Sequence, residues 1–134
     1  MLDFWISGTC GIIRPAMSRG KQSPIFVKTY DFLIWLLGRT ARFPKNERFR
    51  MARRLEESAF AFYDLLLQAG RLPEGQKDKK RQLLTRADLE LDRLRLTVRL
   101  CQDLKLLSFK QYEHCAERLV EIGRLLGGWH KSLA

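Results

Sequence analysis

The stretch LLTRADLELDRLRLTVRLCQDLKLL, residues 83–107, is a long helical pattern with two apolar sides, where a self-sufficient bundle helix needs one. At about 100° per residue, Leu84, Ala87, Leu91, Leu94, Val98 and Cys101 share one side, while Leu89, Leu96, Leu100 and Leu107 fall on nearly the opposite one. The first set can serve the chain's own core. The second is expected to meet another subunit, which makes Leu89, Leu96 and Leu100 candidate oligomer contacts. Charged strips separate the two sides, with Asp92, Arg99 and Asp103 on one flank and Arg86, Glu90 and Arg93 towards the other.

Downstream, Ser108 followed by Gln111 reads as a capping box, so the third helix should end near residue 106 and a fourth begin almost at once. That fourth helix would carry Phe109, Tyr112, Cys115, Ala116, Leu119, Ile122, Gly123 and Leu126 inward. Gly123 and Gly127 each lower helix propensity by roughly 1 kcal/mol, a cost that close approach of another backbone would offset. Upstream, Gly70, Pro73 and Gly75 break the pattern, and Lys77, Lys79, Lys80 and Arg81 follow at the start of the third helix. Cations there oppose the helix dipole, so a bound partner would explain them, although solvation could also tolerate them.

The second helix is placed from residue 45 or 46 to 69, with Asn46 as cap and Glu47 in its first turn. Phe49, Ala52, Leu55, Ala59, Phe62, Tyr63 and Leu66 form its expected core stripe. Arg50, Arg53 and Arg54 make a compact basic patch on the other side, to be weighed against an ordinary solvated face. The first helix should run from residue 24 or 25 to 41, with Ser23 as cap and Pro24 in the first turn, and stop before Pro44. Ile25, Phe26, Val27, Tyr30, Leu33, Ile34, Trp35, Leu36 and Leu37 cover most of its circumference, so it too should touch a second subunit. Residues 1–23 sustain no periodicity and are expected to form a flexible extension, with Met17 a candidate start of translation. Residues 24–134 then form one all-α domain, an antiparallel up-down-up-down four-helix bundle.

The 134 residues are 46% hydrophobic and 30% charged, enough for one cored domain and too few for two. Lysine and arginine number 25 against 15 acidic residues, and the net charge of +10 favours a polyanionic partner, most simply nucleic acid. The candidate contacts are Arg50, Arg53, Arg54, Lys79, Lys80, Arg81, Arg86 and Arg93, all outward or flanking in the helical pattern. Cys10, Cys101 and Cys115 form no disulfide framework or metal spacing, and a reduced, cytoplasmic setting is expected. Cys101 and Cys115 lie seven residues either side of Ser108 and should face the same core. The longest apolar run, residues 32–37, is far short of the roughly 20 residues that span a bilayer, and the N-terminal stretch lacks the order of a signal peptide. His114 and His130 have no glutamate three residues before them, and no phosphate loop, dinucleotide fingerprint or nucleophile elbow is present. No enzyme activity, metal or cofactor is expected.

Three elements carry a family resemblance: Phe43-Pro44-Lys45, then Leu91-Asp92-Arg93-Leu94-Arg95, then Glu121-Ile122-Gly123-Arg124-Leu125-Leu126-Gly127-Gly128-Trp129. Across residues 24–131 the chain resembles the accessory variability determinant (Avd) proteins of diversity-generating retroelements. The Phe-Pro-Lys and Gly-Arg-x-Leu elements are shared with bundle proteins of ribosomal-RNA intervening sequences, while Gly127-Gly128-Trp129 leans towards Avd. The resemblance implies a basic homopentameric barrel of four-helix bundles that binds a reverse transcriptase, its template RNA and complementary DNA, without polymerising. The alternative is a stand-alone bundle of the intervening-sequence type, with no polymerase partner.

Overall fold

A computed structural model of the chain describes residues 23–134. The expected extension and Met17 start lie outside the described residues, apart from Ser23. Four helices follow: α1 Pro24–Thr40, α2 Arg53–Arg71, α3 Lys77–Asp103 and α4 Phe109–Ser132. Each packs on its neighbours in sequence, and α4 closes back on α1, giving an antiparallel four-helix bundle. Among the described residues there is no strand, and no helix is long and apolar enough to cross a membrane.

The inner stripe of α3 forms the middle of the core. Leu84, Ala87, Leu91, Leu94, Val98 and Cys101 are all at most 1% exposed. Against them lie Leu55, Ala59, Phe62, Leu66 and Ala69 of α2, Leu119, Ile122 and Leu126 of α4, and Phe32, Leu33 and Leu36 of α1. Of the helix pairs, α2 and α3 pack most extensively. Ser58 donates to Glu90 at 3.4 Å across their seam. Two aromatic contacts join α4 to α1, Phe26 with Trp129 at 6.0 Å and Trp35 with His114 at 4.8 Å between ring centres.

Three expectations of burial fail, each at a helix end. Phe49 is 80% exposed, because residues 45–52 do not continue α2 as an α-helix. A 3₁₀ turn, Lys45–Glu47, leads into a π turn, Arg48–Ala52, and the altered winding breaks the phase that placed Phe49 with Ala52. Asn46 accordingly caps nothing, and Phe43 is the aromatic buried at this end. Phe109 is 64% exposed, since it stands about 100° around α4 from the inward arc of Cys115, Leu119 and Ile122. Leu107 is 4% exposed, on the inside, because α3 stops before its helical phase can carry that residue outward.

The stop is a Schellman turn. Leu106 N–H donates to the Cys101 carbonyl at 2.8 Å and Lys105 N–H to that of Gln102 at 2.9 Å, with Lys105 left-handed at φ 65°. Ser108 then caps α4 through the expected reciprocal box: Gln111 N–H to Ser108 Oγ at 3.1 Å, and Ser108 N–H to Gln111 Oε1 at 3.0 Å. Gly123 is approached by the Arg95 side chain rather than by a backbone, and nothing lies near Gly127.

Lysine in a left-handed conformation is strained by about 1 kcal/mol, partly balanced by the greater chain entropy of an unfolded glycine. Lys105→Gly should therefore raise stability by about 0.5 kcal/mol, read as a higher urea midpoint; a lower one would contradict the account.

Cys101 and Cys115 are free and fully buried, as the spacing about Ser108 implied. Burial, then the Glu47 charge, pushes the Cys101 thiol up to about 11. Burial, then Cys101, pushes Cys115 up to about 12. The folded state thus holds these protons more tightly than the unfolded chain, whose thiols ionise near 8.5. Their contribution is whole below about pH 8.5 and is lost as pH rises through 11 to 12. Between pH 7.5 and 10 the unmodified protein should lose more stability than a Cys101→Ala/Cys115→Ala variant; equal losses would refute the assignment.

Candidate nucleic-acid interface

Residues 42–54 hold six cations, Arg42, Lys45, Arg48, Arg50, Arg53 and Arg54, against one carboxylate, Glu47. Half of the net charge of +10 therefore sits in about a tenth of the chain. Pro44 ends the α1 connection, and the 3₁₀ and π turns after it fan successive side chains around the axis. All six cations are exposed. Glu47 is buried and sits 3.4 Å from Arg50 Nε, while Arg53 Nε reaches Glu57 at 3.0 Å. The segment's one carboxylate is thus largely withdrawn from solvent. Arg42, Lys45, Arg48 and Arg54 make no ion pair among the described residues.

Arg93 lies close to this edge. The Ser58–Glu90 bond sets α2 against antiparallel α3, so Arg54, one turn before Ser58, stands near the level of Arg93. Arg93 itself pairs with Glu90 at 2.7 Å. Arg86 is exposed about two turns further along α3. Lys79, Lys80 and Arg81 belong to the opposite end of the bundle, where α3 begins. Arg81 is engaged there with Asp78 and with the Leu133 carbonyl, the latter at 2.5 Å, and so ties α3 to the chain end. Of the eight cations singled out from the sequence, Arg50, Arg53, Arg54 and Arg93 lie towards one end of the bundle and Lys79, Lys80 and Arg81 at the other, with Arg86 between them.

Arg42, Lys45 and Arg48 flank the Arg50–Arg54 patch in sequence but are not among the eight cations that the helical pattern singles out. Their signal is the basic spacing either side of Phe43-Pro44, which a helix placed from residue 45 hides. Chemically, exposed guanidinium groups of this density suit phosphate, which accepts two parallel hydrogen bonds from each fork.

Elsewhere the surface is apolar in places. Leu89, Leu96 and Leu100 are 52%, 63% and 43% exposed along the outer side of α3. Val27, Tyr30 and Ile34 form a second exposed stripe on α1. A shallow groove on α4 runs between Phe109 and Arg124 and is lined by that helix alone. His114 packs on Trp35, and His130 Nε2 lies 3.2 Å from Thr85 Oγ1. Among the described residues, no group of three or more histidine, cysteine or acidic side chains could hold a metal ion.

No curated protein matches the chain. A family model described as bAvd-like matches residues 25–133, a span that contains the whole of the basic edge and all four helices but for Pro24. The chain belongs to the bAvd-like family.

Proposed function

We propose that this protein is a non-catalytic accessory subunit of a diversity-generating retroelement, binding the reverse transcriptase together with its template RNA and complementary DNA. Membership of the bAvd-like family carries this reading. Support comes from the basic edge at residues 42–54, where unpaired cations face solvent. Polymerisation belongs to the partner; this chain contributes phosphate contacts and a scaffold. The scaffold is a homopentameric ring, supported by the exposed apolar stripes of α1 and α3. Repeating a weak phosphate site around a ring raises effective concentration without a tight single contact.

Assembly is tested first. Burying one leucine contributes about 1.5 to 3 kcal/mol, so Leu96→Glu with Leu100→Glu should reduce the particle to a monomer while circular dichroism keeps its helical signal. Light scattering that finds the unmodified protein monomeric would end the ring proposal.

The function is tested by reconstituting cDNA synthesis from polymerase, template RNA and this protein. Single alanine changes at Arg50, Arg54 or Arg93 should lower the yield partially, and combined charge reversals should abolish it with the oligomer intact. RNA affinity should also fall steeply with salt, by a log–log slope of about 0.7 to 0.9 per neutralised phosphate. Full yield with the protein omitted would favour the stand-alone bundle instead.

A further inference from the structure

The most exposed large apolar side chain among the described residues is Phe49, with 80% of its surface in solvent. It gains little from the fold. Core burial is the usual fate of an aromatic ring, because it removes a large apolar area from water. Phe49 instead stands on the π turn Arg48–Ala52, a form of winding that recurs at functional sites. Arg48 and Arg50 adjoin it in sequence, and Arg53 follows one turn on. Arg42, Lys45 and Arg54 complete the group.

This composition decides between occupants. A protein partner that covered Phe49 would also have to bury or pair several arginines, four of the six cations being without a carboxylate. The exposed apolar stripes suited to subunit contact lie on α1 and α3 instead. A single-stranded nucleic acid satisfies both features at once, because its phosphates take the cations and an unpaired base has an open face for the ring. A duplex satisfies one, since its bases are closed within the stack.

Resting on the nucleic-acid reading above, we propose that Phe49 is a base-stacking platform, and that the edge formed by residues 42–54 prefers unpaired RNA or DNA to duplex. Phosphate contacts by the surrounding cations hold the strand. Phe49 supplies the discrimination between single strands and duplex, with no reading of base identity, since every base presents a π face.

The experiment measures fluorescence-anisotropy affinities of the full-length protein for oligo-U RNA, oligo-dT DNA and a duplex of equal length. Phe49→Ala should weaken both single strands about 5- to 150-fold, the span of one lost base stack. Duplex affinity and the salt slope should stay where they are. Phe49→Trp should retain single-strand affinity, and its added indole fluorescence should be quenched by oligo-U. High exposure makes either change tolerable to the fold, which circular dichroism checks. Loss for RNA alone or for DNA alone would narrow the platform to that strand type.

Unchanged single-strand affinity in Phe49→Ala would overturn the stacking role while leaving nucleic-acid binding standing. An equal loss for single strands and duplex would also overturn it. A change in particle mass without a change in single-strand affinity would assign Phe49 to a protein contact, against the proposal. No binding of any oligonucleotide by the unmodified protein would remove the nucleic-acid reading itself.

Discussion

The inner stripe of α3 is the constraint on which the remaining structure depends. Six side chains from Leu84 to Cys101 are sealed from solvent, and all three other helices contribute to the core around them. Each buried leucine contributes about 1.5 to 3 kcal/mol, so this one stripe supplies much of the drive for closing the bundle. Its length matters as well. A helix of 27 residues extends about 40 Å, which separates the two ends of the bundle and keeps their surfaces distinct. Lys79 and Arg54 are both cations near helix starts, yet α3 holds them at opposite ends.

Periodicity was sufficient wherever the chain keeps α-helical winding. The stripe of α3, the capping box at Ser108 and the buried positions of α2 from Leu55 onward all follow from spacing alone. Legibility ends where winding changes. Phe49 and Leu107 were assigned by continuing a 100° phase through segments that do not hold it. One lies on a π turn and the other beyond a Schellman stop whose left-handed residue is a lysine. Neither feature has a strong local sign, because glycine would ordinarily mark the left-handed position. Phe109 is a different failure: its phase was readable, but an aromatic near a cap was counted as core by type.

The candidate interface was only partly legible for a related reason. Charge content favours a polyanionic partner, and the Arg50, Arg53 and Arg54 group is visible as a cluster. Which distant cations join it depends on how α2 registers against α3. That register shows itself in the Ser58–Glu90 bond, which a linear pattern does not display. Arg81 illustrates the converse. As sequence it continues a run of free cations, whereas in the fold its donors are taken by Asp78 and the Leu133 carbonyl.

The antiparallel register also relates the two surface features that the bundle does not need for its own core. Counting from the Ser58–Glu90 level, Arg50 stands about opposite Val98, so the exposed Leu96 and Leu100 lie at the height of the basic edge. They occupy the outer side of α3, away from the stripe that packs inward. In the proposed ring, a contact through those leucines would repeat the basic edge of every protomer at one level. Phosphate sites would then form a belt rather than a scatter, and a strand long enough to touch several would gain from each without strengthening any one. Such an arrangement asks little of individual arginines and much of the apolar contact that aligns them. In that proposed ring, the outer leucines of α3 would align charge as well as join subunits.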